Sequence, residues 1–313
     1  MRVVSLLPSA TEIVYALGIE PVGVSHECDF PNAAREKPSM NFSRVDSEAS
    51  SEEIDRQVRA AERDHGGVYG IDREALAAAD PDLIVTQGVC DVCAVDRVLV
   101  RETVEELDLD TEVLTLDSHT LDEVLEDIVR IGAATGREAS AEEVVAGLRE
   151  RIDAVASRTR TAEERPQVAI LDWLDPVMVA GHWMPEIVRL AGGEYELAEP
   201  GDASTIREWD EVLAYDPDVL IAAPCGFGLD QATANATDVT EREGFATLTA
   251  TRTGTVYLMD GHHYVNRPGP RLVDTLEYLA GLLHADRMPE PSDEVVRSIR
   301  DPASETETSA ERG

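Results

Sequence analysis

Residues 120–158 read TLDEVLEDIVRIGAATGREASAEEVVAGLRERIDAVASR, two helical patterns in series. The first puts Leu121, Val124, Leu125, Ile128 and Ile131 on one face and closes between Gly132 and Gly136. The second puts Val144, Val145, Leu148, Ile152 and Val155 on one face. Both spacings follow the 3.6-residue period of an amphipathic helix. Thr120 with Glu123, and Ser140 with Glu143, have the spacing of capping boxes. A second helix of roughly 20 residues would span about 30 Å, the width of a small lobe.

The chain on either side of this stretch repeats one pattern. Val3-Val4-Ser5-Leu6-Leu7 opens the first half and Val168-Ala169-Ile170-Leu171 the second. Asp80-Pro81-Asp82-Leu83-Ile84-Val85 is answered by Asp216-Pro217-Asp218-Val219-Leu220-Ile221. Each half closes on a strand that meets an aspartate, at Asp117 and at Asp260, with His119 and His262 two residues further on. Three matches in one order imply a duplicated lobe. Short apolar runs alternate with helical patterns, which predicts α/β lobes with parallel sheets. Such sheets bind ligands beyond the carboxyl ends of their strands. The expected fold is two parallel-sheet α/β lobes bridged by one long helix, with a ligand cleft between the lobes. The expected division is a first lobe at 1–119, linking helices at 120–160, a second lobe at 161–287 and a disordered acidic tail at 288–313, rich in Pro, Ser, Thr and Glu.

Composition narrows the function. The chain of 313 residues carries a net charge of -36, from 63 acidic and 27 basic residues, and Lys37 is its only lysine. So anionic a surface repels itself at low salt and is tolerable at molar salt, where the Debye length is about 3 Å. A halophilic setting is expected. Nucleic-acid binding is disfavoured, because phosphate contacts need a basic patch. No apolar run approaches the ~20 residues of a membrane span. Met1-Arg2 leads directly into a strand without a signal peptide. A cytoplasmic monomer is expected from the chain as written, and an extracytoplasmic one if the true start lies upstream. Four cysteines in such a chain are read as thiols or ligands rather than disulfides.

Further elements follow in order. Ser9 and Glu12 read as a capping box for a helix that stops at Gly18. Ser9 lacks the surroundings of a nucleophile elbow. Residues 47–64 read as an exposed helix inserted on the first lobe. Pro185 sits at the first turn of a helix, and 272–283 as a terminal helix.

The residues just after strands are the candidate site. They are Cys28, Cys90 and Cys93, Cys225, Trp173 and the pair His262-His263. Cys28, Cys90, Cys93 and Cys225 together could hold a metal ion, two thiols supplementing a Cys-x-x-Cys pair. The histidines are candidate axial or metal ligands. Trp173 and Trp183 would suit a large flat ligand.

Val3-Val4-Ser5-Leu6-Leu7-Pro8-Ser9-Ala10-Thr11-Glu12, the Pro-Asp-Leu-Ile strand and Asn266-Arg267-Pro268-Gly269-Pro270-Arg271 resemble the helical-backbone (class III) substrate-binding proteins of ABC importers. The match is closest to the cobalamin (vitamin B12) binders, with iron-siderophore and haem binders as relatives. The resemblance implies two lobes bridged by a long helix, non-catalytic capture of a metal-centred small molecule, and an importer permease as partner. It implies pocket positions at Glu27, Tyr69 or its neighbour Val68, Gln87 and Trp173, and a pocket arginine at Arg267. Cys90 and Asp91 lie in the loop beyond Gln87 and are counted with the ligand contacts. It implies transporter-docking carboxylates at Glu74 and Asp210. Cobalamin or a related corrinoid is the expected cargo. The alternatives are an iron chelate or haem, or an intracellular protein that handles a metal ion through its cysteines.

Overall fold

The computed structural model describes residues 1–89 and 95–299. The chain forms two compact units: Met1–Arg151 with Arg267–Leu272, and Ile152–Asn266 with the chain from Val273 onward. The division falls inside the helix Glu138–Thr159, whose 22 residues span about 33 Å.

The sheet of the first unit runs in the order Gly23–Val24, Val3–Ser5, Leu83–Gln87, Glu112–Leu116, with every pair parallel. All residues of Val3–Ser5 and Leu83–Gln87 are buried. This is why both read as unbroken apolar runs rather than alternating ones: a central parallel strand is covered on both faces. Leu76 from helix Arg73–Ala79 and Val100 from helix Arg97–Glu106 pack on Val4, Leu6 and Ile84. The inserted helix is Ser51–His65, capped by Ser50 and stopped by Gly66 in the left-handed region. It is flanked by an antiparallel pair, Asn41–Ser43 with Tyr69–Ile71. That pair is not legible from residue pattern, since Asn41 is buried and Phe42 exposed, the reverse of the usual order.

The capping boxes divide. Thr120 and Glu123 form theirs at the start of helix Leu121–Thr135. Ser140 lies inside Glu138–Thr159 and starts nothing. The pairing of Ser9 with Glu12 is absent as well. The helix is Pro8–Ala16, with Leu7 at its N-cap and no side-chain cap. Glu12 is instead buried and takes two arginines. Arg271 Nε and Nη2 donate to Oε2 at 3.0 Å and Oε1 at 2.5 Å, a bidentate pair, and Arg267 Nη1 donates to Oε1 at 3.2 Å. Arg267 Nη1 also donates to Asp29 Oδ1 at 2.7 Å. Two guanidinium groups hold a carboxylate far more strongly than a backbone N–H would. The segment Arg267–Leu272 thus seats against helix Pro8–Ala16, closely enough that a Cβ on Gly269 would stand 3.3 Å from the Ser9 carbonyl oxygen. The Arg271 guanidinium lies 4.2 Å from the centroid of the Phe30 ring, a cation–π contact.

The sheet of the second unit runs Val296–Ser298, Val256–Met259, Val219–Ala222, Val168–Trp173, Met178–Val179, Thr205–Ile206. Its three central strands are parallel. The outer ones are antiparallel, edges added to the expected parallel core. The connection from Trp173 to Met178 is too short for a parallel crossover, so the chain turns back on itself. The tail is also corrected over 288–299. Val296–Ser298 pairs with Val256–Met259, and Met288, Val295 and Val296 are buried. Three apolar residues at the right spacing outweigh the polar composition around them. Residues 300–313 lie outside the described part.

The repeat extends to single hydrogen bonds. Asp80 and Asp216 both end helices with positive φ, 40° and 46°, a conformation Asp tolerates better than most residues. The Arg2 N–H donates to Asp82 Oδ2 at 2.5 Å and the Gln167 N–H to Asp218 Oδ2 at 2.8 Å. The N–H groups of Asp82 and Asp218 return bonds to the carbonyls of Arg2 and Gln167, at 2.8 and 2.9 Å.

Removing one partner from a buried, hydrogen-bonded ion pair costs about 3–5 kcal/mol, because the other charge stays buried alone. Glu12→Ala is therefore expected to lower the urea midpoint of the first unit by that equivalent. Arg271→Lys, which cannot make the bidentate contact, is expected to fall between. A loss below about 1 kcal/mol for Glu12→Ala would show that the cluster carries no weight.

Candidate functional site

In the first unit the loop after strand Gly23–Val24 carries His26, Glu27, Cys28 and Asp29. His26 Nε2 lies 3.0 Å from Glu27 Oε1 and its Nδ1 3.1 Å from Asn41 Oδ1. Desolvation opposes charge on this ring, yet the contacts to Glu27 and Asn41 raise its pKa above the usual range. The ring also stands 5.3 Å from that of Tyr69. Glu27 and Tyr69, two of the predicted positions, therefore share one neighbourhood through a histidine that the sequence reading passed over. Gln87 ends its strand and is buried.

Arg267 is in a different situation from the one expected. It is 4 % exposed and bonded to Glu12 and Asp29, so its visible partners are structural carboxylates. Glu12 and Asp29 went unrecognised as its partners. The available signal was the Arg-x-x-x-Arg spacing of 267 and 271, which asks for an acidic counterpart.

Cys28 is 4 % exposed, and its Sγ lies 3.0 Å from Thr11 Oγ1. Burial pushes the thiol up to about 12. Electrophiles take the thiolate, which a thiol so placed scarcely supplies near neutral pH. Cys90, Asp91 and Cys93 lie outside the described residues.

In the second unit the strand ends bring several predicted residues together. Trp173 ends Val168–Trp173, and its ring meets Phe227 edge-on with centroids 5.3 Å apart. The Cys225 N–H donates to the Asp172 carbonyl at 2.8 Å and the His262 N–H to the Phe227 carbonyl at 3.0 Å. Trp173, Cys225 and His262 thus occupy adjoining positions. His263 Nδ1 lies 2.7 Å from Asp260 Oδ2, and the two imidazoles are T-shaped at 4.7 Å. Trp183 is elsewhere. It is 6 % exposed and its Nε1 donates to the Val265 carbonyl at 2.9 Å.

Beside Trp173 sits Asp172, which the sequence reading did not single out. Its side chain is buried, Oδ1 has no hydrogen-bond partner, and burial raises its pKa to about 6 despite a bond from Ser204.

Glu74 and Asp210 occupy the first turns of helices Arg73–Ala79 and Trp209–Tyr215, and both are exposed. Each helix runs into the strand of the Asp-Pro-Asp motif of its own unit, so the two carboxylates are repeat equivalents.

A binding protein built from duplicated α/β units is the class these features define. A family model described as periplasmic binding protein matches residues 3–262, and the chain belongs to that family. An uncharacterized ABC transporter substrate-binding lipoprotein of Bacillus subtilis is 24 % identical over 298 residues, covering 92 % of this chain and 82 % of that protein. A cobalamin-binding protein of Halobacterium salinarum is 29 % identical over 217 residues, 67 % of this chain and 55 % of that protein. The crystal structure of a periplasmic heme binding protein from Pseudomonas aeruginosa shares the fold, with a TM-score of 0.69 at 19 % identity over 96 % of this chain and 99 % of that one. By its family the chain is a binding protein, non-catalytic. Among the described residues no helix is long and apolar enough to cross a membrane.

Two outcomes test the local chemistry. Because the folded-state pKa of Asp172 lies above its unfolded value of 3.8, the folded form holds the extra proton and stability falls as pH rises through about 4 to 6. The loss amounts to roughly 3 kcal/mol for a shift of about two units. Asp172→Asn is expected to flatten the dependence of the denaturation midpoint over that window and to raise the midpoint at pH 7. A midpoint that still falls with the same slope would remove Asp172 as the cause. For Cys28, iodoacetamide labelling of the native protein at pH 8 followed by peptide mapping is expected to leave it unmodified and to modify it fully in urea. Rapid native labelling would contradict the buried, neutral thiol.

Proposed function

We propose that this protein binds cobalamin or a closely related corrinoid and delivers it to an ABC importer on the outer side of the membrane. The observation that carries the reading is the group at the strand ends of the second unit. There Trp173 and Phe227 offer aromatic surface, and His262 and His263 stand beside them. A flat macrocycle with a metal at its centre suits such a surface, with apolar contact for affinity and a few polar anchors for orientation. The relative named as a cobalamin-binding protein supports the same cargo.

Haem or an iron chelate is the second reading, favoured by the adjacent imidazoles. Cys28 is 4 % exposed and lies against Thr11 Oγ1, which weighs against a protein handling metal ions through its cysteines. Glu74 and Asp210 are proposed as the carboxylates that dock on the importer. The net charge of -36 is proposed as an adaptation to high salt, so binding is measured there.

Calorimetric titration in molar KCl with cyanocobalamin, cobinamide and haemin tests the cargo. One corrinoid per chain with no haemin uptake is expected, and haemin uptake without corrinoid uptake would reverse the two readings. For docking, Glu74→Arg with Asp210→Arg is expected to abolish importer-dependent uptake while the same titration still shows binding. Normal uptake by the double variant would exclude these two carboxylates.

A further inference from the structure

The four asparagines of the chain are Asn32, Asn41, Asn235 and Asn266, and two of them stand two residues before a hydroxyl, in Asn41-Phe42-Ser43 and Asn235-Ala236-Thr237. Asn-x-Ser/Thr, with x other than proline, is the acceptor pattern for an N-linked saccharide, a bulky group that needs a surface position on an exported chain. Asn32 and Asn266 lack the hydroxyl. By pattern Asn41 and Asn235 are equals, and the fold separates them. Asn41 opens the strand Asn41–Ser43, is 4 % exposed and pairs opposite Ile71. Its Oδ1 accepts the His26 N–H at 2.8 Å, and its Nδ2 is buried with no hydrogen-bond partner. An atom so closed off from solvent has no room for a saccharide. The Ser43 hydroxyl is also taken, donating to the Val45 carbonyl at 2.9 Å.

Asn235 is placed in the opposite way. It is the C-cap of the short helix Leu229–Ala234, and Thr237 opens the next one, Thr237–Thr240. Leu229 and Ala232 bury the first helix and Val239 the second. The turn between them faces out, with Thr233, Ala234 and Thr237 exposed and Asn235 half-buried. Asn235 Nδ2 donates to the Gln231 carbonyl at 2.9 Å, a contact within its own helix end. The same carbonyl accepts the Asn235 backbone N–H at 3.1 Å, so it keeps a partner when the side chain turns away. The primary amide carries a second N–H, and nothing in the packing of the unit depends on this side chain reaching inward.

We infer that Asn235 carries an N-linked saccharide, with the Thr237 hydroxyl completing the acceptor, and that Asn41 stays unmodified in the folded protein. The inference goes beyond the cargo and rests on one part of the reading above, that the protein works on the outer side of the membrane. The donor is an oligosaccharide joined through phosphate to a polyisoprenyl lipid of the membrane. The electron pair of Asn235 Nδ2 forms a bond to the anomeric carbon, and the bond from that carbon to the phosphate oxygen breaks. The lipid phosphate leaves with the pair of the broken bond, and the amide gives up one proton to solvent. No oxidant or reductant takes part. The saccharide adds bulk and hydration to an exposed turn and leaves the buried faces of both short helices as they are.

The test is peptide mapping by mass spectrometry on the full chain purified from the cells that make it, alongside its sensitivity to protease added to those cells intact. Trypsin cuts after Arg207 and Arg242 and releases Asn235 in the peptide 208–242, while Asn41 falls in 36–44. A mass excess of whole sugar residues on 208–242, with saccharide fragment ions, is expected, and 36–44 is expected bare. Asn235→Gln and Thr237→Ala are each expected to lose the whole excess and Thr237→Ser to keep it, with far-UV circular dichroism checking the fold. Protein reached by the added protease but unmodified on 208–242 would overturn the site and leave the outer location standing. An excess that survives Asn235→Gln, or one found on 36–44 of folded protein, would overturn the choice of residue. Protein shielded from the protease and unmodified on both peptides would overturn the site and the outer location together.

Discussion

A carboxylate buried on helix Pro8–Ala16 is the constraint on which the first unit depends. Glu12 is 4 % exposed, and a lone charge so placed would cost several kcal/mol. Arg271 and Arg267 make it tolerable, and both come from a six-residue piece of the C-terminal half. The chain must therefore pass between the units three times, within Glu138–Thr159, before Arg267 and after Leu272. The same cluster holds the loop after the second strand, because Asp29 shares Arg267 and Phe30 lies under Arg271. Glu27 and Cys28 immediately precede this anchor. The position of the candidate contacts in the first unit thus follows from an interaction more than two hundred residues away in sequence.

This explains what could be read from the sequence and what could not. The repeated Asp-Pro-Asp strands were legible because each obeys a local rule: an apolar run buried on both faces, introduced by an aspartate that tolerates positive φ. The Thr120 cap and the long helix were legible for the same reason. Glu12 was misread because its spacing from Ser9 satisfies a local motif while its true partners are remote. The antiparallel edge at Met178–Val179 and the strand Val296–Ser298 were missed because two or three residues carry too little periodicity to register. Among the candidate residues, Trp173, Cys225, His262 and His263 are legible in the sequence as positions at strand ends, which is where the structure has them. Asp172 and Asp260 occupy similar positions but read as turn aspartates. What sets them apart is burial and partner, neither of which is written in residue spacing.

The two units solve one folding problem and differ where chemistry is expected. Their sheets share the same core of three parallel strands and the same aspartate hydrogen bonds. The first adds a fourth parallel strand, an inserted helix and the arginine-bound loop. The second adds antiparallel edges and the π-helical turn that frames two imidazoles beside Trp173 and Phe227. Fold alone does not assign cargo. The argument for a corrinoid therefore stands on those side chains and on the chemistry they can offer to a metal-centred ring.

The most direct measurement is a crystal structure of the protein grown with aquacobalamin, with diffraction data collected on either side of the cobalt absorption edge. The account predicts one anomalous peak per chain, beside Trp173 and Phe227. A cobalt peak remote from these side chains, or crystals of folded protein with no cobalt at all, would contradict it.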